Sequence, residues 1–386
     1  MENFVYSNPT KIIFGKNNLK RIGHEAAKFG KKALVVYGMG SIKRNGVYDI
    51  VLKSLSENGL EFVEYEGVKP NPVLSHVKPG IEKFKKNSCD MIVAVGGGSV
   101  IDESKAISSG VFYNGDVWDF FTGKAKIEKA APVIVALTIP ATGSESNSGC
   151  VITKEETKQK YSAHSPHLFP KVSILDPSIT FSIPKEQTAY GAVDIISHVL
   201  EGYFTTKDIN SIITDNYVYA IVKSVILLTE KILENPEDYN ARASFMWTAT
   251  LALNGMQSLG YKNVEFVNHV IEHSLSAIFD IPHGLGLSIV LSGFLKRLMN
   301  RGGKLRIAEF GKNIFQLRGS IEEISKETVF KMEEWFRKIG LKTKLSENGI
   351  LEKDFITVAD NACELGKLWG WSYEKKDVIE ILNFQK

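Results

Sequence analysis

At 386 residues the chain is too long for one ordinary hydrophobic core, so two domains of roughly 180 to 200 residues are expected. Apolar residues make up 44% and charged residues 24%, the composition of a globular protein with no segment that must stay disordered. The 47 Lys and Arg nearly balance the 44 Asp and Glu and are spread along the chain, which argues against a nucleic-acid or membrane partner.

The start, MENFVYSNPTKIIFG, lacks the basic and apolar regions of a leader, and no apolar run is expected to approach the roughly 18 residues that span a bilayer. A cytoplasmic location follows as the expectation. From there to about residue 180, short β-branched runs alternate with amphipathic stretches: ALVVY (33–37), EFVEY (61–65), MIVAVGGGS (91–99), VIVALT (133–138) and VSILD (172–176). Near-continuous apolar strands, each followed by Gly or a polar cap and a helical pattern, predict a parallel sheet covered on both faces. The segment between Cys150 and Leu175 has a polar tip between β-like flanks and predicts a hairpin. After Pro184 the strand signal fades, and the periodicity predicts helices over 186–206, 210–233, 238–259, 263–278, 284–300, 304–315, 321–338, 352–360 and 374–382. The expected division is 1–184, an α/β dinucleotide-binding domain, and 185–386, an all-α metal-binding domain.

Three widely spaced cysteines, Cys89, Cys150 and Cys363, form neither a disulfide framework nor a metal knuckle, so any metal must use histidine and carboxylate. Asp194 and His198 stand one helical turn apart on a common face. His269 and His273 repeat that spacing on a second helix, and His283 opens a third. Imidazoles with one carboxylate and no sulfur suit Fe(II) or Zn(II), and an open coordination position would make the ion a Lewis acid. From spacing alone His273 is open between ligand, proton relay and core residue. Glu201 reads either as a carboxylate orienting His198 or as a solvated helix-face residue.

Three glycine-bearing turns end strands. In GGGSVID, Gly96, Gly97, Gly98 and Ser99 bring backbone N–H groups to a helix start, where a pyrophosphate binds well, although a tight connection uses the same residues. IPATGSES supplies Thr138, Thr142, Gly143 and Ser144 at another strand end. YGMGSIKRNG offers Gly38, Gly40, Ser41, Lys43 and Arg44, with space, a hydroxyl and positive charge but no carboxylate for a ribose 2′-OH, which favours NADP(H) over NAD(H).

Together these motifs, from NPTKIIFG through VYGMGSIKRNGVYD, GVKPNPVLS, VGGGSVID, PATGSESN and LDPSIT to GAVDIISHVLEGY and HVIEHSLSAIFDIPHG, resemble the iron-containing alcohol dehydrogenases, most closely their NAD(P)H-dependent butanol dehydrogenase-like branch. The resemblance implies a Rossmann-like N-terminal domain and a helical C-terminal domain, the dehydroquinate synthase-like fold, with cofactor and metal in a cleft between them. It also implies metal ligation by Asp194, His198, His269 and His283, with His273 as the catalytic residue near substrate and nicotinamide. Cofactor contacts are expected at Gly38, Gly40, Ser41, Gly97, Gly98, Ser99, Asp102, Thr138, Thr142, Ser144, Lys160 and Ile179. A homodimer is implied in the same way.

The expected reaction is hydride transfer between NAD(P)H and a small aldehyde or primary alcohol such as butanal or butanol. Two competing readings are a metal- and NAD-dependent lyase of the same superfamily and a metallohydrolase. The lyase needs many cations for a phosphorylated acid, whereas the metal segments here are flanked by apolar residues and Gly. The hydrolase needs no dinucleotide turns.

Overall fold

The computed structural model describes residues 1–207 and 211–386. In chain order the strands are β1 (Lys11–Phe14), β2 (Lys32–Gly38), β3 (Glu61–Val68), β4 (Met91–Gly96), β5 (Val133–Leu137), β6 (Gly149–Lys154), β7 (Gln159–His164) and β8 (Val172–Leu175). The helices among and after them are α1 (Ile22–Ala26), α2 (Ser41–Arg44), α3 (Val47–Glu57), α4 (Leu74–Lys86), α5 (Gly98–Gly110), α6 (Lys185–Thr205) and α7 (Ile212–Glu234). The chain continues through α8 (Tyr239–Ala252), α9 (Val267–Phe279), α10 (His283–Asn300), α11 (Lys304–Phe315), α12 (Ile321–Lys338), α13 (Phe355–Leu368) and α14 (Lys375–Asn383). The expected start of the 210–233 helix, residue 210, lies outside the described residues.

Two compact units emerge. One is α/β and comprises Ser7–Ile183 with Asn235–Asn254; the other is helical and comprises Met1–Tyr6, Pro184–Glu234 and Gly255–Lys386. A single cut after residue 184 therefore does not describe the chain, because α8 packs in the α/β unit. Thr250 of α8 donates to the buried Glu145 carboxylate at 2.6 Å, and the Trp247 ring meets Phe14 edge-on at 6.1 Å. Those contacts join residues more than a hundred positions apart in one case and more than two hundred in the other, which a local pattern does not report.

In the α/β unit, β1, β8, β5, β4, β2 and β3 form, in that order, a wholly parallel sheet. Its central strands are apolar on both faces, every residue of β4 and β5 being buried, as a sheet covered by helices requires. The chain winds outward from β2 to β3 and then resumes at β4 on the other side of β2. The carboxyl ends of β2 and β4 thus flank a topological switch point, the usual ligand position in an open parallel sheet. The expected hairpin is the antiparallel pair β6–β7. The edge strand β1, only four residues long, is an element that the β-run reading does not find.

In the helical unit α10 packs against both α6 and α9. Sequence detail permits this. A Cβ on Gly284 would lie 2.3 Å from the Tyr190 carbonyl oxygen of α6, and one on Gly286 would lie 2.8 Å from Glu272 Cγ of α9. Only glycine lets the start of α10 sit that close to its two neighbours. The expectation that no apolar run approaches bilayer length is corrected by α7, which is long and apolar enough by length and composition, with a window of mean hydropathy 1.4. Val218, Val222 and Val225 are buried along one face of it and α6 packs beside it, so core packing accounts for that apolarity.

Candidate active site

The helical unit gathers four histidines and an aspartate from three helices. Asp194 and His198, one turn apart on α6, are 2% and 5% exposed, and His269 of α9 is 5% exposed. Asp194 Oδ1 stands 3.3 Å from His198 Nε2, 3.6 Å from His269 Nε2 and 3.5 Å from His283 Nε2. Four ligands tetrahedral about an ion with bonds of about 2.1 Å have edges of about 3.4 Å, and the three separations from Asp194 match such edges; Asp194, His198 and His269 offer ligand atoms within 4.8 Å of one another. Hydrogen bonding does not explain them: Asp194 Oδ1 and His269 Nε2 are buried with no hydrogen-bond partner among the described residues, a costly state for polar atoms. The donor set, three imidazoles and one carboxylate, fits Fe(II) or Zn(II).

Two buried glutamates set the rings. Glu201, fully buried on α6, accepts from His269 Nδ1 at 2.8 Å, from the His269 backbone N–H at 2.9 Å and from that of Asn268 at 3.2 Å. It therefore also caps the first turn of α9, where Phe266 offers no side-chain cap. Glu272, fully buried on α9, accepts from His283 Nδ1 and from the Ser276 hydroxyl. In both cases the Nδ1 proton is committed to a carboxylate, which leaves Nε2 as the lone-pair nitrogen turned toward Asp194. This revises the alternatives for Glu201: it is not solvated, and it orients His269 of the neighbouring helix rather than His198. The sequence reading missed Glu272 altogether, although a signal is present, since α6 and α9 each carry Glu three residues after their first cluster histidine, on the same face.

The charges reinforce one another. Burial opposes ionisation of Asp194, but the His198, His269 and His283 imidazoles overcome it and hold the carboxyl well below its ordinary range. Burial drives His198 down to about 3, which keeps it neutral. Burial also disfavours a charge on His269, yet Asp194 and Glu201 outweigh it and raise that imidazole to about 9. Two carboxylates thus call for positive charge between the helices, which a divalent cation supplies. His273 is 3% exposed, with its ring 5.7 Å from that of His283, 6.3 Å from that of His269 and 5.9 Å from that of Trp369. Glu272, His273 and His283 also offer ligand atoms within 4.8 Å of one another. Phe266, edge-on to His269 at 5.7 Å and to Trp369 at 6.4 Å, completes an aromatic wall that the sequence reading did not find.

In the α/β unit most of the expected cofactor residues lie at or just beyond the carboxyl ends of the strands; Lys160 and Asp102 do not. Gly97 precedes α5, which has no side-chain cap and no acidic residue in its first turn, so its leading N–H groups and positive dipole end suit a pyrophosphate. A Cβ on Gly98 would lie 2.4 Å from the Thr142 side chain; glycine there lets the loop after β5 lie on the start of α5. Thr138 donates its backbone N–H to the Gly96 carbonyl at 3.0 Å, and Ser99 Oγ donates to the Pro70 carbonyl. Gly38 ends β2, Gly40 follows at φ 100°, and Ser41 opens α2. Lys160 lies on β7 with Nζ 3.1 Å from Asn71 Oδ1, and Ile179 sits in the turn after β8 against the sheet core.

Ser144 and Asp102 bind each other, hydroxyl to carboxylate at 2.5 Å, while Asp102 Oδ2 accepts from the Val151 backbone at 3.0 Å. Beneath them the fully buried Lys105 donates to Ser144 Oγ, to the carbonyl and side-chain oxygens of Asn147, each at 3.0 Å, and to the Gly149 carbonyl at 2.8 Å. Lys105 is absent from the sequence reading because a lysine inside an amphipathic helix gives no sign of facing inward.

A family profile described as iron-containing alcohol dehydrogenase matches residues 9–177, and one described as the C-terminal part of the Fe-containing alcohol dehydrogenase family matches residues 188–384. The chain is 41% identical over 386 residues to a probable NADH-dependent butanol dehydrogenase of Bacillus subtilis, covering 99% of each chain. It is 42% identical over 352 residues to NADH-dependent butanol dehydrogenase A of Clostridium acetobutylicum, covering 91% of this chain and 90% of that one. The solved structure of NADH-dependent butanol dehydrogenase A from Thermotoga maritima superposes with a TM-score of 0.96 at 45% identity, over 100% of this chain and 99% of that one. The chain accordingly belongs to the iron-containing alcohol dehydrogenase family, in its butanol dehydrogenase-like branch, and is an NAD(P)-dependent oxidoreductase.

Proposed function

We propose that this protein interconverts small aliphatic aldehydes and primary alcohols, butanal and butanol among them, with NADH as the hydride carrier and one divalent cation, Fe(II) or Zn(II). The observation that carries the reading is the buried Asp194 oxygen set 3.3 to 3.6 Å from three imidazole nitrogens. When bound, the cation supplies Lewis acidity at an alcohol or carbonyl oxygen and the dinucleotide supplies or accepts the hydride.

Asp194, His198, His269 and His283 would hold the cation, with Glu201 and Glu272 fixing the rings. Phe266 and Trp369 present apolar edges beside His269 and His273. Such a wall excludes water and suits an alkyl chain. His273 is assigned the proton relay to the substrate oxygen. Gly97, Gly98 and Ser99 at the start of α5, with Thr138 and Thr142, would receive the pyrophosphate, and the Gly38–Ser41 turn the adenosine end. Asp102 and Ser144 serve by fixing the loop, and Lys160 and Ile179 by bordering it.

The NADP(H) preference expected from the Gly38–Arg44 turn is not supported by the two butanol dehydrogenases described above, which are named as NADH-dependent, and NADH is proposed instead. A homodimer is proposed on the family resemblance. The test is turnover of butanal and NADH at 340 nm by protein of known metal content. His269→Ala is expected to lose metal and turnover together; full turnover in metal-free protein overturns the reading.

A further inference from the structure

We infer that Glu66 is the residue by which this chain discriminates against a 2′-phosphorylated dinucleotide; the inference rests on the proposed nicotinamide reading. A sheet of this kind commonly places a carboxylate where it can hold the ribose 2′-OH of NAD, and cations with space where a 2′-phosphate must fit. Here β2 ends in Gly38 and the following turn carries Lys43, so its own residues read as a phosphate site. The neighbouring strand reverses that. Glu66 of β3 pairs with Tyr37, the last residue of β2 before Gly38, and a register shift at Gly67, φ 107°, ends the regular ladder there. The Glu66 carboxylate is thereby delivered beside the turn.

Its partners are specific. Lys43 Nζ donates to Glu66 Oε2 at 2.8 Å and lies 5.2 and 5.3 Å from the centres of the Tyr37 and Tyr48 rings. The Tyr37 hydroxyl stands 3.2 Å from Glu66 and 2.5 Å from Glu64, which also accepts from Tyr48 at 2.9 Å. Lys43 and Glu66 are both largely exposed, with side chains 44% and 64% accessible. A lone pair of that kind is weak, but the Tyr37 and Tyr48 rings give this ammonium two further partners. With one ammonium and two carboxylates, Lys43, Glu64 and Glu66 sum to a single negative charge. A 2′-phosphate, carrying roughly −1.5 to −2, meets repulsion and a cation already engaged. A 2′-hydroxyl is neutral and can donate to a carboxylate. Arg44, next in the chain, is exposed and is unchanged by the variants below.

The test is calorimetric binding of NAD+ and NADP+ to the metal-loaded protein, with kcat/KM for NADH and NADPH measured alongside. The wild type is expected to bind NAD+ more tightly. Glu66→Gln should tighten NADP+ by about tenfold and weaken NAD+ by about three- to tenfold, since the 2′-hydroxyl loses a charged acceptor, and adding Lys43→Ala to it should abolish the gain in NADP+. Glu66→Ala, monitored by its melting curve, should shift the preference in the same direction. An unchanged ratio in both Glu66 variants, or equal tightening of both coenzymes, overturns the inference. Failure of the wild type to bind either coenzyme is a different result, which removes the dinucleotide reading and this inference with it.

Discussion

Each compact unit buries a cluster of charge, and the two clusters are built differently. In the α/β unit the Lys105 ammonium is fully buried and spends itself on four protein oxygens between 2.8 and 3.0 Å away. Burial lowers its pKa to about 8, against the pull of Asp102. In the helical unit Asp194 and His269 are equally buried, yet Asp194 Oδ1 and His269 Nε2 have no hydrogen-bond partner among the described residues. The first cluster is complete as it stands and acts as a clip joining α5 to the Ser144–Gly149 loop. The second is complete only with a cation. Burial and charge are common to both; what differs is that the Lys105 ammonium has four oxygen partners while Asp194 Oδ1 and His269 Nε2 have none among the described residues.

That contrast breaks most sharply at Asp194. Asp194→Ala should abolish metal binding and lower kcat/KM by about a thousandfold or more, since it removes the ligand nearest all three imidazoles; its metal content by mass spectrometry is the check. Lys105→Met should do the opposite kind of damage. Four acceptors, one on buried Ser144 and three on half-buried Asn147 and Gly149, lose their donor and Asp102 loses its buried counter-charge, a loss of about 3–5 kcal/mol in unfolding free energy, while the metal is retained at one per chain. If Lys105→Met lost metal but not stability, the division between clip and site would be wrong.

The glutamates behind the histidines sharpen the comparison. Glu201→Gln and Glu272→Gln should each weaken metal affinity by about 10- to 100-fold, read by competition with a chelator, with little change in the far-ultraviolet spectrum. A smaller effect belongs to the α/β unit, where His76 Nδ1 pairs with the buried Glu103 carboxylate at 2.6 Å. That hydrogen bond, working against burial, raises the His76 pKa above 6.5, and burial raises that of Glu103. Stability from a raised histidine pKa is fully present below the unfolded value and lost as pH rises through the folded one. The margin of wild type over His76→Gln in urea unfolding should therefore be greatest below about pH 6.5 and shrink above it.

The same contrast explains what the sequence could disclose. Asp194 and His198 were legible as a chelating pair because helical spacing sets them on one face; spacing paired His269 with His273, and the resemblance singled out His269 and His283 as the remaining ligands. The glycine turns were legible because strand, glycine and helix start are consecutive. Helix boundaries held where caps are local: 304–315 and 321–338 correspond to α11 and α12, the latter opened by the Ser320–Glu323 capping box. The 238–259 helix stops instead at Ala252, where Leu253 leaves the helical region and Gly255 takes φ 100°.

What the sequence did not disclose depends on contacts between distant segments. Glu201 acts on a ring 68 residues away, Lys105 on a loop about 40 residues away, and Glu66 on a cation that belongs to the next strand's turn. None of these has a period. The NADP(H) preference read from the Lys43 turn lacks support in the NADH-named relatives, and that turn was read without its neighbour Glu66.

The most direct test is anomalous diffraction at the iron and zinc absorption edges from crystals of active protein, or of apoprotein reconstituted with either ion. The account predicts one anomalous peak per chain, about 2.0–2.2 Å from Asp194 Oδ1 and from the Nε2 atoms of His198, His269 and His283. Crystals of enzyme that turns over butanal, with no peak among those four atoms or with the only peak elsewhere, would contradict it.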